Sequence, residues 1–406
     1  MRKVSDVIIR AGILIDSVSE DAKSKKEIWI TDGKITAIKE GHTPDATIPN
    51  DAQVLNAEHL TVLPGIVDAH VHITSGARPD YPKLRDEPVA SAAIRGVSNV
   101  RDTLLGGITT IRSAGTRDFI DVNLRDAIEA GTIPGPRLKA AGRGLCITGG
   151  HGWFHSIECD GVDAFRQAAR TLIKNGVDLI KIKVTGGVNT PGTRPGVPQM
   201  NLDEIKAVLT ETRKRGITLI GHTEGREGIR DAVEAGIDSI EHGYFIDDEE
   251  SLVKMREKGI YLVPTLIAYD LIAISGDKGV PAEAVENAQM TVKTNQDSFR
   301  MAVEFGVPIA MGSDAGTVFN DHGLSARELE YMVRCGMTPM QAIKAGTSEG
   351  AKLLRLADKI GTIEVGKEAD IIAVEGNPLE DISVITNVKT VVARGKVVKK
   401  DGCAYV

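Results

Sequence analysis

Apolar and polar positions alternate at both ends of the chain, and a longer cadence takes over in the middle. In residues 1–60 the runs "DVIIRAGILID", "EIWITDGKITAIKEG" and "AQVLNAEHLTVLPG" change face at every residue, which is the period of strands with one buried side. Asp32 and Gly33 supply a two-residue hairpin turn between two of them. The carboxyl-terminal stretches "ADIIAVEG" and "VKTVVARGKVVKKDG" repeat the pattern across the turn residues Asn377 and Pro378. The two ends, residues 1–63 and 357–406, are expected to pair into one small β-sandwich, leaving residues 64–356 as an insert.

Within the insert a helical run repeatedly closes on glycine and an apolar strand begins at once, as in "LLGGITTIRSAG", "RKRGITLIGHTEG" and "VEFGVPIAMGSDAG". Gly107, Gly176, Gly216, Gly236, Gly259 and Gly306 fit the left-handed position that ends a helix. Six such joints predict parallel strands with crossover helices. Adding "VDAHVH" and one strand over residues 137–145, "RLKAAGRGL", makes eight, the count of a closed (β/α)8 TIM-type barrel. A doubly wound open sheet has less support, because no G-x-G-x-x-G follows an early strand. The expected fold class is therefore α/β, a TIM-type barrel with a β-sandwich built from both termini.

Composition narrows the function. A chain of 406 residues with 42% hydrophobic and 26% charged positions has material for a large core, which excludes disordered and collagen-like classes. The net charge of -7, without a long basic run, argues against a nucleic-acid partner or an anionic membrane surface. The short piece "KSKK", Lys23 to Lys26, reads as a solvated turn. Four cysteines without CxxC spacing read as reduced thiols, and the start "MRKVSDVIIRAG" carries no apolar segment of signal-peptide or membrane length, so the expected location is the cytoplasm.

In a barrel of this kind chemistry gathers at the carboxyl ends of the strands. Strand one ends in His70 and His72, two residues apart and therefore on one face. Strand four carries Lys181 and Lys183, strand five ends at His222, strand six at His242, and strand eight at Asp314 beside the small residues Ala310 and Gly312. Any one histidine is more simply a hydrogen-bonded structural residue. Four of the nine histidines converging with a lysine and an aspartate on one barrel mouth call for a shared partner, because these groups are otherwise poorly compensated when buried. Imidazole and carboxylate donors suit zinc, and equally manganese, iron or cobalt. An ammonium does not ligate a cation, but a neutral lysine amine adds carbon dioxide to become an anionic carbamate; the plainer reading, a lysine snorkelling to the rim, carries equal weight. Side-chain parity does not separate Lys181 from Lys183.

These residues in this order resemble the amidohydrolase superfamily over nearly the whole chain, including the flanking "PGIVDAHVH" and "GTIEVGKEADIIAV". Within it the chain looks most like the imidazolonepropionase-related branch with its Xaa-Pro and Xaa-Arg/Lys dipeptidases, through "TGGHG" at Thr148 to Gly152. The resemblance selects Lys181 and implies two divalent metal ions, zinc foremost. His70, His72 and Asp314 would hold one ion, His222 and His242 the other, with the Lys181 carbamate between. It implies amide hydrolysis by a metal-bridging hydroxide, with Asp314 shuttling the proton and His151 or Tyr244 contacting the substrate. The implied substrate is a dipeptide or an N-acyl amino acid, and the implied assembly a homo-oligomer. A cyclic amide hydrolase of the imidazolonepropionase type is the alternative; a deaminase fits less well, since "TEG" follows His222, and a non-catalytic scaffold would lack ligands that are all present here. Outside this set Arg78 and Arg194 read as solvated loop residues, with a bidentate fork onto a substrate carboxylate as the second reading, His155 reads as a surface histidine, and His322 carries no assignment.

Overall fold

The computed structural model describes residues 6–79 and 86–406; the first residues of the amino-terminal stretch and part of the loop after strand one lie outside them. The alternating ends become strands β1 (Val7–Leu14), β2 (Lys23–Thr31), β3 (Lys34–Glu40) and β4 (Gln53–Pro64) from the amino end. β14 (Ile371–Val374), β15 (Val388–Ala393), β16 (Lys396–Lys400) and β17 (Cys403–Ala404) come from the carboxyl end. They hydrogen-bond in the order β3-β2-β1-β4-β14-β15-β16-β17. The two ends therefore pair, as expected, but in one continuous sheet rather than two facing layers, because β4 is bonded to β1 on one side and to β14 on the other.

The alternation does its expected work there: Val7, Ile9, Ala11, Ile28, Ile30 and Ile371 turn to one side and form a buried apolar cluster. "KSKK" is not a turn. It is the first half of β2, with Lys23, Ser24 and Lys26 paired to Leu14, Ile13 and Ala11, and its charges are met by Asp16 and Glu40.

The middle forms two parallel sheets. β5 (Ile66–Val71), β6 (Ile108–Ser113) and β7 (Arg137–Lys139) make one. β8 (Gly144–Cys146), β9 (Ser156–Glu158), β10 (Leu179–Lys183), β11 (Thr218–Thr223), β12 (Ser239–His242) and β13 (Tyr261–Val263) make the other. β5, β6, β10 and β12 are buried at every position, as strands covered on both faces must be. All six cadence glycines have positive φ, between 66° and 90°.

The unbroken eight-stranded ring expected from the cadence is not what the hydrogen bonds show. "RLKAAGRGL" splits into β7 and β8 because carboxylates intercept the amides between them: Asp178 accepts from Ala140 N, and Asp121 from Ala141 N and Gly142 N. The eighth segment, residues 308–315, bridges both sheets through single contacts, Leu262 to Ile309 and Val71 to Ala315, and so joins β13 to β5. That segment brings Asp314 beside His70.

Candidate metal centre

The strand ends meet as two adjacent groups of donors. His70, His72 and Asp314 form one, and His222, Glu224 and His242 the other; within each group the donor atoms lie within 4.8 Å of one another. Asp314 Oδ1 stands 3.2 Å from His72 Nε2 and 3.5 Å from His70 Nε2. The ring centres of His70 and His242 are 5.0 Å apart, and those of His222 and His242 4.6 Å, so the groups share one floor.

Local backbone chemistry holds these side chains in place. The Asp68 carboxylate, fully buried in β5, accepts from His70 N, Ser313 N and Ser313 Oγ. It thereby ties strand one to the segment that carries Asp314, and Asp314 N donates to His70 O. Burial pushes the Asp68 carboxyl up to about 6. Asp314 and His242 both sit in the left-handed backbone region, at φ 57° and 74°, conformations that non-glycine residues adopt at a cost and that cluster at functional sites. Gly312 makes room for His70: a Cβ there would lie 2.8 Å from His70 Cβ. Gly187 does the same on the other side, where a Cβ would lie 2.6 Å from His151 Cε1 and 2.7 Å from His222 Nε2.

The rings of His70 and His242 are each oriented through Nδ1, which turns Nε2 toward the donor groups. His70 Nδ1 bonds Glu241 Oε2 at 2.5 Å, and Glu241 Oε1 accepts from Arg112 Nη2 at 2.8 Å and from Ser239 Oγ. Arg112, buried in β6, also donates through Nε to Ala69 O. His242 Nδ1 bonds Thr265 Oγ1 at 2.7 Å. Burial holds His70, His222 and His242 well below the ordinary histidine value, so these imidazoles are neutral, the form that binds a cation. Burial works to raise Asp314 as well, but the close approach of His72, then of His70 and Lys181, keeps its carboxyl below the usual value.

The two lysines of β10 separate by depth. Lys181 is fully buried, and its Nζ has no hydrogen-bond partner; burial, then the charge of Lys183, holds its amine well below the ordinary lysine value. Lys183 is in register with His222 and lines the cavity above the floor, which Lys181 does not. That cavity is open to solvent at its mouth.

His151 and His155 both reach the cavity from the glycine-rich loop. The His151 ring stacks on His222 at 4.2 Å, and the His155 ring lies 6.3 Å from His72; His155 is thus a cavity residue and not a surface one. Tyr244 is buried behind the wall, with its ring against Tyr269, and Tyr269 lines the cavity and donates to Glu224 Oε1 at 2.8 Å. Arg78 and Arg194 are exposed and do not line it. His322 is buried under the strand-one loop, with Nε2 on Ser75 O.

Sequence reasoning passed over Asp68, Arg112, Glu224, Glu241 and Thr265. The available signal was a charged residue inside an otherwise apolar run, as in "IVDAHV", "ITTIRS" and "SIEH".

The donor set fits bound cations on its own evidence. Of the buried polar atoms without a hydrogen-bond partner among the described residues, His70 Nε2, Lys181 Nζ, Asp314 Oδ1 and Glu224 Oε2 all belong to these two groups or the lysine beside them. A protein interior rarely leaves so many such atoms unpaired in one place.

The profile of the amidohydrolase family matches residues 61–398, and the chain belongs to that family. It is a hydrolase of a family that generally uses metal ions, with neighbours known as TIM barrels. A solved Xaa-Pro dipeptidase with bound methionine in the active site is 36% identical, covers 97% of this chain and 100% of its own, and superposes with a TM-score of 0.90. Ochratoxinase of Aspergillus niger is 31% identical over 95% of this chain and 84% of its own length. An imidazolonepropionase of Streptococcus sanguinis is more distant, 22% identical over 87% of this chain and 84% of its own. No helix among the described residues is long and apolar enough to cross a membrane.

Proposed function

We propose that this protein hydrolyses the amide bond of dipeptides or N-acyl amino acids with two divalent cations, zinc foremost by resemblance to its family. The observation that carries the reading is the pair of three-donor groups sharing one floor, with the unpartnered Lys181 amine buried beside them. The dipeptidase among the similar structures supports the substrate class. Bound there, the cations would supply the acidity that makes water a nucleophile near neutral pH.

His70, His72 and Asp314 would hold one cation, and His222 and His242 the other, with Glu224 Oε2 within reach. Lys181 would serve as a carbamate: its neutral amine adds to carbon dioxide, one proton leaves, and the new N–C bond joins it to a carboxylate whose single negative charge is shared by two oxygens. Asp314 accepts the proton of the attacking water as its oxygen bonds to the carbonyl carbon. The same carboxyl then delivers a proton to the departing nitrogen as the C–N bond breaks, giving a carboxylate and an amine. His151, stacked over His222 at the cavity wall, is placed to donate to the carbonyl oxygen as it gains charge. Tyr244 acts from behind, holding Tyr269 in the wall.

The test is a screen of zinc-loaded protein against Xaa-Pro and other dipeptides, N-acyl amino acids and a panel of cyclic imides and lactams. Turnover of linear amides that stops on chelation is the expected result. Turnover confined to the cyclic panel would replace this reading with that of an imidazolonepropionase-like enzyme.

A further inference from the structure

One cationic side chain of the cavity has no role in the scheme above. Lys183 is 3% exposed, lines the cavity, and makes no hydrogen bond or ion pair among the described residues. Arg117, the other described arginine or lysine lining the cavity, is already engaged: it donates through Nη1 to Glu87 O and through Nε to Asp118. Lys183 is also flanked by neutral donors. His155 Nε2 is buried without a hydrogen-bond partner, and both it and the Lys183 stem lie against Gly152, where a Cβ would be 2.9 Å from His155 Nε2 and 3.5 Å from Lys183 Cε. Gly144 bounds the stem on its other side, its Cβ position 3.7 Å from Lys183 Cε. A buried lysine amine beside an unused imidazole, open to a cavity and bonded to nothing, is matched by an anionic ligand that accepts from both. In register Lys183 pairs with His222, so that partner would sit directly above the reacting floor.

We propose that Lys183, with His155 Nε2 as second donor, anchors a free carboxylate of the substrate, so that the enzyme selects amides bearing that group over their neutral counterparts. The proposal rests on the linear-amide reading above and adds the group that recognises the substrate. It is tested by calorimetric binding of L-methionine and L-methioninamide to the zinc-loaded protein and to its Lys183→Met and Lys183→Gln variants, with metal content and melting temperature measured on each. The expected result is a preference for methionine of about 10- to 100-fold in the natural protein, the range of a charge-assisted hydrogen bond, abolished in both variants at unchanged metal content. A preference that survives in the variants, or none in the natural protein, overturns the anchor. Loss of metal in both variants also overturns it, by assigning Lys183 to the floor. Failure of every dipeptide and N-acyl amino acid to turn over, with the methionine preference intact, overturns the substrate reading alone.

Discussion

Two buried carboxylates, one in the terminal sheet and one at the barrel mouth, show opposite treatments of charge. Glu27, wholly buried in β2, receives four hydrogen bonds: Trp29 Nε1 and Thr43 Oγ1 on one oxygen, Arg10 Nε and Thr43 N on the other. Asp314 is also buried, yet its Oδ1 has no hydrogen-bond partner and stands between two histidine nitrogens. Where burial serves the fold, the desolvation of a charge is offset by the protein's own donors. At the mouth the offset is left to something the chain does not supply. The same difference runs through their neighbours, since Arg112 and Glu241 are satisfied by each other while Lys181 is not.

The comparison breaks first at Asp314. Asp314→Asn keeps the shape and removes the proton carrier, so turnover of the best linear amide should fall by about 10² to 10⁴-fold while part of the metal stays bound. Near-normal activity in that variant removes Asp314 from proton transfer. Next comes Glu241, satisfied like Glu27 but bonded to a donor of the floor. Glu241→Gln should weaken zinc binding by about 10- to 100-fold in a chelator competition; unchanged affinity would place it with the structural carboxylates. Glu27→Gln should do the reverse, costing about 1–3 kcal/mol of unfolding free energy with kcat and metal content unchanged. An effect on catalysis there would erase the distinction between the two regions.

The smallest effect is expected at His322, a buried group held through Nε2 by the backbone carbonyl of Ser75. Burial lowers it from the ordinary 6.5 to about 4, so the unfolded chain takes the proton first. Its contribution is therefore present at neutral pH and is lost as pH falls from about 6.5 toward 4. His322→Gln should flatten the fall of denaturation free energy over that interval by on the order of 1–2 kcal/mol at pH 5. Equal slopes in the two proteins would show that His322 does not drive the acid loss.

The alternation of the two ends and the helix–glycine–strand cadence were legible because both express periods that survive in one dimension. So was the set of strand-end histidines, since a strand's last inward residue is also the first available to the mouth. The split of "RLKAAGRGL" was not legible, because the carboxylates that take its amides, Asp121 and Asp178, come from elsewhere in the chain. Nor was the strand character of "KSKK", whose lysines are tolerated in β2 through Asp16 and Glu40. The left-handed backbone at His242 and Asp314 has no residue-type signal, because surrounding contacts impose it.

Taken alone, the sequence determined which residue types face inward and that imidazoles, amines and a carboxylate collect at one end of a parallel α/β core, since periodicity and strand ends are local properties. Tertiary structure decided which of two lysines of equal parity lies beside the floor and which lines the cavity. It also decided that Glu241 and Thr265 aim the rings of His70 and His242. These are matters of depth and partnership, and a residue's depth depends on chain segments far from it in sequence.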